Sequence, residues 1–243
     1  MPQYIAIDIG NTRSKIWWEG AFAVQICDTA SIEEVLREVM RSFAQDTTFC
    51  IGWLSTSQEI QPEKWALAFR IQWIKIDANF PFPFPILYAT PKTLGTDRVV
   101  GSYAAYKICG AASLVISAGT ALTYDYRNAA GEYCGGAIAP GLKMRFRALH
   151  EFTARLPLIE EREIPKLIGD STKNSLLSGV INGMCAEIDA MITRFREEEG
   201  EMNVFLTGGD ADFLAQMLKN VDFSEEKLVL KGILELIHHF STS

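Results

Sequence analysis

The sequence predicts an α/β fold made of two duplicated halves with a central cleft between them. One observation is a short apolar strand at Tyr4–Ile9 that runs into a glycine turn and a second strand, a layout that returns at Ser113–Tyr126. Another is the helical periodicity of the segments that follow these strands. A chain of 243 residues that is 48% apolar can also bury a sizeable core. We expect two domains, over 1–110 and 111–243.

In the first half, three strands joined by tight turns form a meander that precedes an amphipathic helix. Ser31 and Glu34 form a capping box, which predicts the start of this helix. The run Phe80–Pro85 contains three prolines and is expected to be an extended connector packed by its phenylalanines; the alternative is a recognition segment for another protein. The expected elements are strands at 4–9, 15–18, 21–26, 48–53 and 71–76, a helical stretch at 62–69 and a helix at 96–109.

The second half is expected to open with three strands and to continue mainly in helices. A buried strand at Asn203–Leu206 ends in the run Thr207-Gly-Gly-Asp210. The expected elements are strands at 113–117, 121–126, 133–139 and 203–206, and helices at 142–153, 174–197, 210–219 and 224–240.

Charge and cysteine content exclude several classes of protein. The formal net charge of −7 argues against a nucleic-acid binder, since affinity for the phosphate backbone comes from clustered Lys and Arg. No apolar run approaches the roughly 20 residues that a membrane-spanning helix needs, and no secretory signal is recognisable. The five cysteines are odd in number and include no C-x-x-C pair, which favours a reduced, cytoplasmic protein without disulfides or a cysteine zinc site.

Three glycine turns, at Gly10, Gly119 and Gly208–Gly209, each follow an apolar strand. Successive amides in such turns form concave anion sites. Neighbouring Thr or Asn side chains can donate further hydrogen bonds to phosphate oxygens. The turns therefore predict a nucleotide site, although each one alone is also a plain hairpin or helix-start signal. Neither a Walker-type phosphate loop nor a dinucleotide fingerprint occurs in the sequence.

Charged residues beside the first turn and before a helix suggest phosphoryl-transfer chemistry. Asp8 ends the first strand, where its carboxylate could hold Mg²⁺ beside phosphates or, alternatively, cap local amides. Lys15 could face the same phosphates or be a solvated lysine. Asp97 could orient a substrate hydroxyl and accept its proton, or could be an ordinary helix N-terminal charge. Arg98 could hold a carboxylate or phosphate through paired hydrogen bonds.

Several motifs in this order resemble those of the type III pantothenate kinases, a family within the acetate-kinase/Hsp70/actin-like superfamily of duplicated RNase-H-like (actin-like ATPase) folds. The resemblance covers nearly the whole chain. Its motifs lie at Asp8–Lys15, Tyr88–Arg98, Ala118–Ala121, Gly135–Gly141, Gly169–Thr172 and Thr207–Asp210.

The resemblance implies transfer of the ATP γ-phosphoryl group to pantothenate, giving 4'-phosphopantothenate in the first step of coenzyme A biosynthesis, with Asp97 as the proton acceptor. It also implies a homodimer that uses Mg²⁺ and a monovalent cation, K⁺ or NH₄⁺. The implied ATP contacts are Asp8, Gly10, Asn11, Thr12, Arg13, Lys15, Gly119, Thr120, Gly208 and Gly209. The implied pantothenate contacts are Tyr88, Gly95, Thr96, Asp97, Arg98 and Thr172.

One position departs from the family pattern. The Asp that binds the monovalent cation in the family is Ser117 here, and a hydroxyl supplies oxygen but no charge. This departure puts K⁺ dependence in question and motivates an alternative: a weak or inactive relative that binds nucleotide or pantothenate as a regulatory factor. A kinase acting on another small hydroxylated substrate is a further alternative.

Overall fold

The computed structural model describes residues 2–10, 13–55, 60–65 and 68–241. Within them the strands are β1 (Gln3–Ile9), β2 (Arg13–Trp18), β3 (Gln25–Asp28), β4 (Thr48–Ser55), β5 (Arg70–Lys75), β6 (Ser113–Ala118), β7 (Ala121–Arg127), β8 (Tyr133–Pro140), β9 (Asn203–Thr207) and β10 (Phe223–Ser224). The helices are α1 (Ile32–Arg41), α2 (Thr96–Cys109), α3 (Leu142–Glu151), α4 (Thr172–Leu177), α5 (Gly183–Glu199), α6 (Ala211–Ala215) and α7 (Leu228–Ser241). A π-helical turn, Ser178–Asn182, joins α4 to α5.

The two halves repeat one sheet topology, which confirms the predicted duplication. The first sheet has the order β3-β2-β1-β4-β5 and the second has the order β10-β9-β6-β7-β8. In each sheet a three-stranded antiparallel meander comes first, and two parallel strands are added beside its first strand. The carboxyl ends of β1 and β6 therefore occupy equivalent places in their sheets.

The contacts between residues divide the chain into two units, 1–104 with 227–243 and 105–226. This division differs from the expected domains 1–110 and 111–243, because α7 packs against β1 and β4 of the first sheet. Helix α2 runs across the boundary between the two units. The expected boundary followed the duplication along the chain, whereas α7 returns to the first unit through long-range packing.

Side chains of β1 point alternately to the two faces of the first sheet, and each face carries an apolar cluster. Ile5, Ile7 and Ile9 pack in one cluster with Ile32 and Leu36 of α1. On the opposite face, Ala6 belongs to a second cluster with Cys50 and Leu54 of β4 and Ile233 and Ile237 of α7. The phenylalanine rings at 80, 82 and 84 pack on that second cluster, as expected for an apolar connector.

The second unit has one apolar core on one face of its sheet. Leu114, Ile116, Leu122 and Leu206 of the strands meet Ile188 and other buried side chains of α5 there. Within the described part of the chain, the continuous helical run 172–199 is the one segment long and apolar enough to cross a membrane, and half of its apolar window is buried inside the protein. A core helix of a soluble protein meets the same criterion, and Ile188 and Ile192 of this run are fully buried.

Several expected elements differ from the structure. The third strand was expected at 21–26 but is β3, because the amide of Ala21 closes a turn on Trp18 and Phe22 is fully exposed. Ser31 ends a 3₁₀ turn and makes no capping hydrogen bond, so the capping box is wrong. The stretch expected at 62–69 has a 3₁₀ turn at Pro62–Lys64. The last helix begins at Leu228 rather than 224, because β10 precedes it.

We predict that Gly232→Ala destabilises the first unit. A Cβ atom at this helical position would lie 2.3 Å from the Val100 carbonyl oxygen of α2, and backbone cannot yield as a flexible side chain can. We expect a loss of about 2 kcal/mol of unfolding free energy, typical of overpacking a tight site. Thermal melting checks this, with Gly183→Ala as the matched helical control, since nothing lies within 4 Å of a Cβ there. Equal melting temperatures for the two variants would contradict the prediction.

Candidate active site

Asp8 and Lys15 are directly paired across β1 and β2, so both side chains project from the same face of the first sheet. Asp8 is half-buried. Burial and the negative charge of Asp97 raise the pKa of Asp8 to about 6, while the positive charge of Lys15 acts in the opposite direction. The structure thus brings Asp8, Lys15 and Asp97 into one electrostatic group in the first unit.

Asp97 lies in the first turn of α2, directly after Gly95–Thr96. Burial raises the pKa of Asp97, and its neighbours offset part of this effect through hydrogen bonds from the Arg98 and Asp97 amides and the charge of Arg98. Gly95 leaves room for this carboxylate, because a Cβ atom at position 95 would lie 2.8 Å from Asp97 Oδ1 and would displace it. The result is a carboxylate that is fixed in position and more basic than one in water.

The turn between β1 and β2 is braced by hydroxyl groups. The Gly10 amide donates to the Arg13 carbonyl at 3.2 Å, and a Cβ atom on Gly10 would lie 2.6 Å from that oxygen. Thr29 Oγ1 donates to the Gly10 carbonyl at 2.9 Å and lies 2.9 Å from Ser14 Oγ. Arg13 is exposed at the start of β2. The predicted ATP contacts Asn11 and Thr12 lie outside the described residues.

In the second unit, three glycine-containing turns pack backbone against backbone. Gly208 has a φ of 102°, and a Cβ atom on it would lie 2.4 Å from the Ala118 carbonyl oxygen. The Asp210 amide donates to the same carbonyl at 3.0 Å. A Cβ atom on Gly141 would lie 2.3 Å from the Gly119 carbonyl oxygen. The predicted ATP contacts Gly119 and Thr120 therefore lie beside the other predicted ATP contacts of this unit, Gly208 and Gly209.

An ion pair that the sequence did not reveal fastens the turn Thr207–Asp210. Arg162 Nη2 lies 2.6 Å from Asp210 Oδ1, and Arg162 Nη1 donates to the Gly209 carbonyl at 3.3 Å. The Asp210 side chain is almost fully buried. Burial raises the pKa of Asp210, and the charges of Arg162 and Lys143 oppose that increase. Arg162 escaped notice in the sequence because it stands in a run of glutamates that resembles a solvated segment.

Ser117 stands in a row of three hydroxyl side chains. It pairs with Thr123 of β7 on one side and with Thr207 of β9 on the other, so all three share one face of the sheet. The nearby carboxylate of Asp125 is buried and engaged at both oxygens. Tyr133 Oη donates to Oδ1 at 2.7 Å, and Thr123 Oγ1 donates to Oδ2 at 2.9 Å.

The remaining predicted substrate residues occupy different parts of the chain. Tyr88 is half-buried in the irregular segment that precedes α2, and Thr96 is the first residue of α2. Thr172 is exposed at the first position of α4, in the second unit. The structure thus places Thr96, Asp97 and Arg98 together on one helix turn, while Thr172 belongs to the other unit.

The raised pKa of Asp8 makes stability depend on pH in a defined direction. Between its ordinary value of 3.8 and about 6, the folded chain binds this proton more tightly than the unfolded chain. The unfolding free energy therefore falls as pH rises through that window. Asp8→Asn removes this contribution.

We predict that the unfolding free energy of Asp8→Asn rises by about 2 kcal/mol relative to that of the parent protein when both are moved from about pH 4.5 to about pH 7. Urea unfolding at the two pH values measures the difference, and the exposed Asp46→Asn is the control. A stability difference between Asp8→Asn and the parent that does not change with pH would show that the pKa of Asp8 is not raised.

Comparisons with known proteins identify the family of this chain. A family model described as type III pantothenate kinase matches residues 4–194. The type III pantothenate kinase of Flavobacterium johnsoniae is 35% identical over 238 residues, which cover 94% of this chain and 95% of that protein. The type III pantothenate kinase of Christiangramia forsetii is 44% identical over 161 residues, or 66% of each chain. That of Phocaeicola vulgatus is 35% identical over 97% of this chain and 98% of its own.

Solved structures agree on the fold. A conserved protein of Campylobacter jejuni described as a Baf family transcriptional activator has a TM-score of 0.64 at 20% identity, covering 98% of this chain and 100% of that one. Component A of the (R)-2-hydroxyglutaryl-CoA dehydratase of Acidaminococcus fermentans has a TM-score of 0.53 at 11% identity, covering 100% of both chains. These likenesses confirm the predicted duplicated, actin-like ATPase fold. With the family model matched over most of the chain and relatives at 35% identity along nearly all of it, this protein belongs to the type III pantothenate kinase family.

Proposed function

We propose that this protein is a pantothenate kinase that transfers the γ-phosphoryl group of ATP to the primary hydroxyl of pantothenate. The product is 4'-phosphopantothenate, in the first step of coenzyme A biosynthesis. The single observation that carries the proposal is the electrostatic group of Asp8, Lys15 and Asp97 in a chain that belongs to this family. A half-buried carboxylate of raised pKa near a second carboxylate and a lysine suits proton and phosphate chemistry.

Asp97 is the proposed proton acceptor. The pantothenate hydroxyl oxygen forms the new bond to the γ-phosphorus, the bond from that phosphorus to the ADP oxygen breaks, and the hydroxyl proton passes to Asp97. The raised pKa of Asp97 makes its carboxylate a stronger base, and the two backbone amides and Arg98 keep it in one orientation. Tyr88, Gly95, Thr96, Arg98 and Thr172 are the further proposed pantothenate contacts.

The glycine turns carry the proposed ATP contacts. In the first unit the contacts are Gly10, Arg13 and Lys15, together with Asn11 and Thr12, and in the second they are Gly119, Thr120, Gly208 and Gly209. The described residues contain no group of three or more His, Cys, Asp or Glu side chains able to hold a metal. Mg²⁺ is commonly held by one or two carboxylates plus substrate phosphates, so a single carboxylate such as that of Asp8 fits it. When bound, Mg²⁺ would neutralise charge on the transferring phosphoryl group.

A cytoplasmic homodimer is the proposed form of the enzyme. Exposed apolar side chains support self-association, since such side chains in one region often mark a protein interface. Phe152, Ile164, Leu167 and Ile168 of the second unit are each more than half exposed. The net charge of −7 supports a small-molecule enzyme rather than a nucleic-acid partner.

We predict that Asp97→Asn lowers kcat by at least about 10²-fold, because the amide cannot accept the proton. The measurement is pantothenate-dependent ADP release with ATP and Mg²⁺. Circular dichroism and gel filtration should show the same fold and the same dimer for the variant and the parent. Asp46→Asn, an exposed aspartate, is the matched control and should keep the parent kcat. Near-normal kcat in Asp97→Asn would exclude Asp97 as the base.

The same assay separates the alternatives. A regulatory relative would bind ATP or pantothenate in calorimetry without releasing ADP. A kinase for another small hydroxylated substrate would release ADP with a member of a panel of sugars and short acids but not with pantothenate.

Ser117 and the residues around it do not fit the monovalent cation that the family implies. Ser117, Thr123 and Thr207 offer neutral hydroxyls, and both carboxylate oxygens of Asp125 accept hydrogen bonds from other side chains. The charged ligand that Ser117 replaces is therefore missing from this group, and the Asp125 carboxylate is already held by Tyr133 and Thr123. We propose that turnover does not require K⁺ or NH₄⁺.

We predict that the parent enzyme has the same rate in potassium, ammonium and sodium salts, and that Ser117→Asp acquires activation by K⁺ because it restores a charged ligand. Ser117→Asn is the uncharged control and should respond to no cation. Thermal melting at equal ionic strength gives a second readout, because a cation that binds the folded protein raises the melting temperature. A parent enzyme that is inactive without K⁺ would contradict this proposal.

A further inference from the structure

Asp210 is a buried carboxylate on a turn proposed to bind ATP. Its side chain is 6% exposed, and its amide is tied to the Ala118 carbonyl at the neighbouring phosphate turn. A negative charge in this place repels the polyphosphate of ATP, and reduced access to water weakens the screening of that repulsion. The turn therefore needs a positive charge nearby to remain a good ATP site.

Arg162 is the positively charged residue that contacts the Asp210 carboxylate. Its guanidinium contacts Asp210 Oδ1 at 2.6 Å and donates to the Gly209 carbonyl at 3.3 Å, so it engages both a side chain and the backbone of the turn. Lys143, in the first turn of α3, is the other cation that lowers the pKa of Asp210. Arg162 is thus the cation in direct contact, and Lys143 adds a weaker field.

The segment that carries Arg162 links α3 to α4 without regular structure. Its neighbours Glu161 and Glu163 both pair with Lys173 of α4, at 3.0 and 3.4 Å. Arg162 therefore turns away from the two adjacent acids and pairs with Asp210, although nearer carboxylates are present in the sequence. An arginine that only kept this acidic segment soluble would be expected to point into solvent, not to contact a buried carboxylate.

We propose that Arg162 is a positioning residue for ATP, which neutralises Asp210 and holds the turn Thr207–Asp210 in its binding conformation. The inference rests on the proposed function, because it assumes that this turn contacts the nucleotide. Arg162 does not itself take part in phosphoryl transfer. Its effect should therefore appear in ATP affinity and not in the rate of the chemical step.

A surface ion pair offers the competing explanation. The Arg162 side chain is 39% exposed, and exposed pairs often contribute nothing measurable. The two explanations differ in what removal of the second charge does. If Asp210 repels ATP once Arg162 is gone, replacing Asp210 as well should restore binding. If the pair only stabilises the fold, Arg162→Ala lowers the melting temperature and leaves the ATP dissociation constant unchanged. If the pair contributes nothing, neither quantity changes.

The experiment measures the ATP dissociation constant by calorimetry, and KM for ATP and kcat by ADP release, in the full-length protein. We expect Arg162→Ala to raise the dissociation constant and KM about tenfold, with kcat nearly unchanged. Arg162→Ala with Asp210→Asn should recover most of that loss. Arg162→Lys should recover part of it, because lysine keeps the charge but not the planar guanidinium, which reaches both the Asp210 carboxylate and the Gly209 carbonyl.

The pH dependence gives an independent readout. Without Arg162, the buried carboxylate of Asp210 keeps its proton to a higher pH, and Lys143 alone opposes this. The ratio of the Arg162→Ala dissociation constant to that of the parent should therefore fall as pH is lowered, since protonation removes the repelling charge. Loss of the hydrogen bond to the Gly209 carbonyl alone would leave the ratio constant.

Arg147→Ala is the matched control, because Arg147 forms an exposed ion pair with Glu151 on α3. It should bind ATP like the parent. Parent affinity in Arg162→Ala, or no recovery in the double variant, overturns the inference. A parent protein that releases no ADP with pantothenate overturns the proposed function instead. If Arg162→Ala melts early, Arg162→Lys and the pH ratio decide the question.

Discussion

Burial of Asp8 beside a second carboxylate, Asp97, is the constraint on which the proposed chemistry of the first unit depends. Burial disfavours the charge of Asp8, the negative charge of Asp97 adds to this effect, and together they raise the pKa of Asp8 to about 6. Lys15, paired with Asp8 across the sheet, limits this effect. The arrangement costs stability near neutral pH, and a divalent cation bound there would relieve the repulsion between the two carboxylates. Such unfavourable charge groupings are typical of sites that are built to bind a ligand.

Local patterns in the sequence predicted the repeated part of the fold well. The strands around Gly10 and Gly119 and the bounds of α2 follow from apolar periodicity and turn residues, which act over short distances. The two-residue strand β10 has no such signal, because it exists only through its pairing with β9. The packing of α7 on the first unit could not be predicted either, since the apolar face of a helix does not indicate which sheet it will pack against.

Some residues of the candidate site could also be predicted from local sequence patterns, and others could not. Asp8, Lys15 and Asp97 could be identified because each stands beside a glycine turn or a helix start, and family motifs name them. Arg162 could not, because its partner Asp210 lies far along the chain and its neighbours are glutamates. The brace from Thr29 to the Gly10 carbonyl was also missed, since a threonine between a strand and a helix has many ordinary uses. Contacts that join distant segments are set by tertiary packing, which no single-sequence pattern records.

The return of α7 has a consequence for how the chain acquires its structure during synthesis. Residues 105–226 form an uninterrupted unit, so the segments that make its contacts have all been synthesised once residue 226 is made. The face of the first sheet that contains Ala6 and Cys50 must wait for Ile233 and Ile237, which are made more than a hundred residues later. The amino-terminal unit, although it is translated first, is therefore the last to be completed.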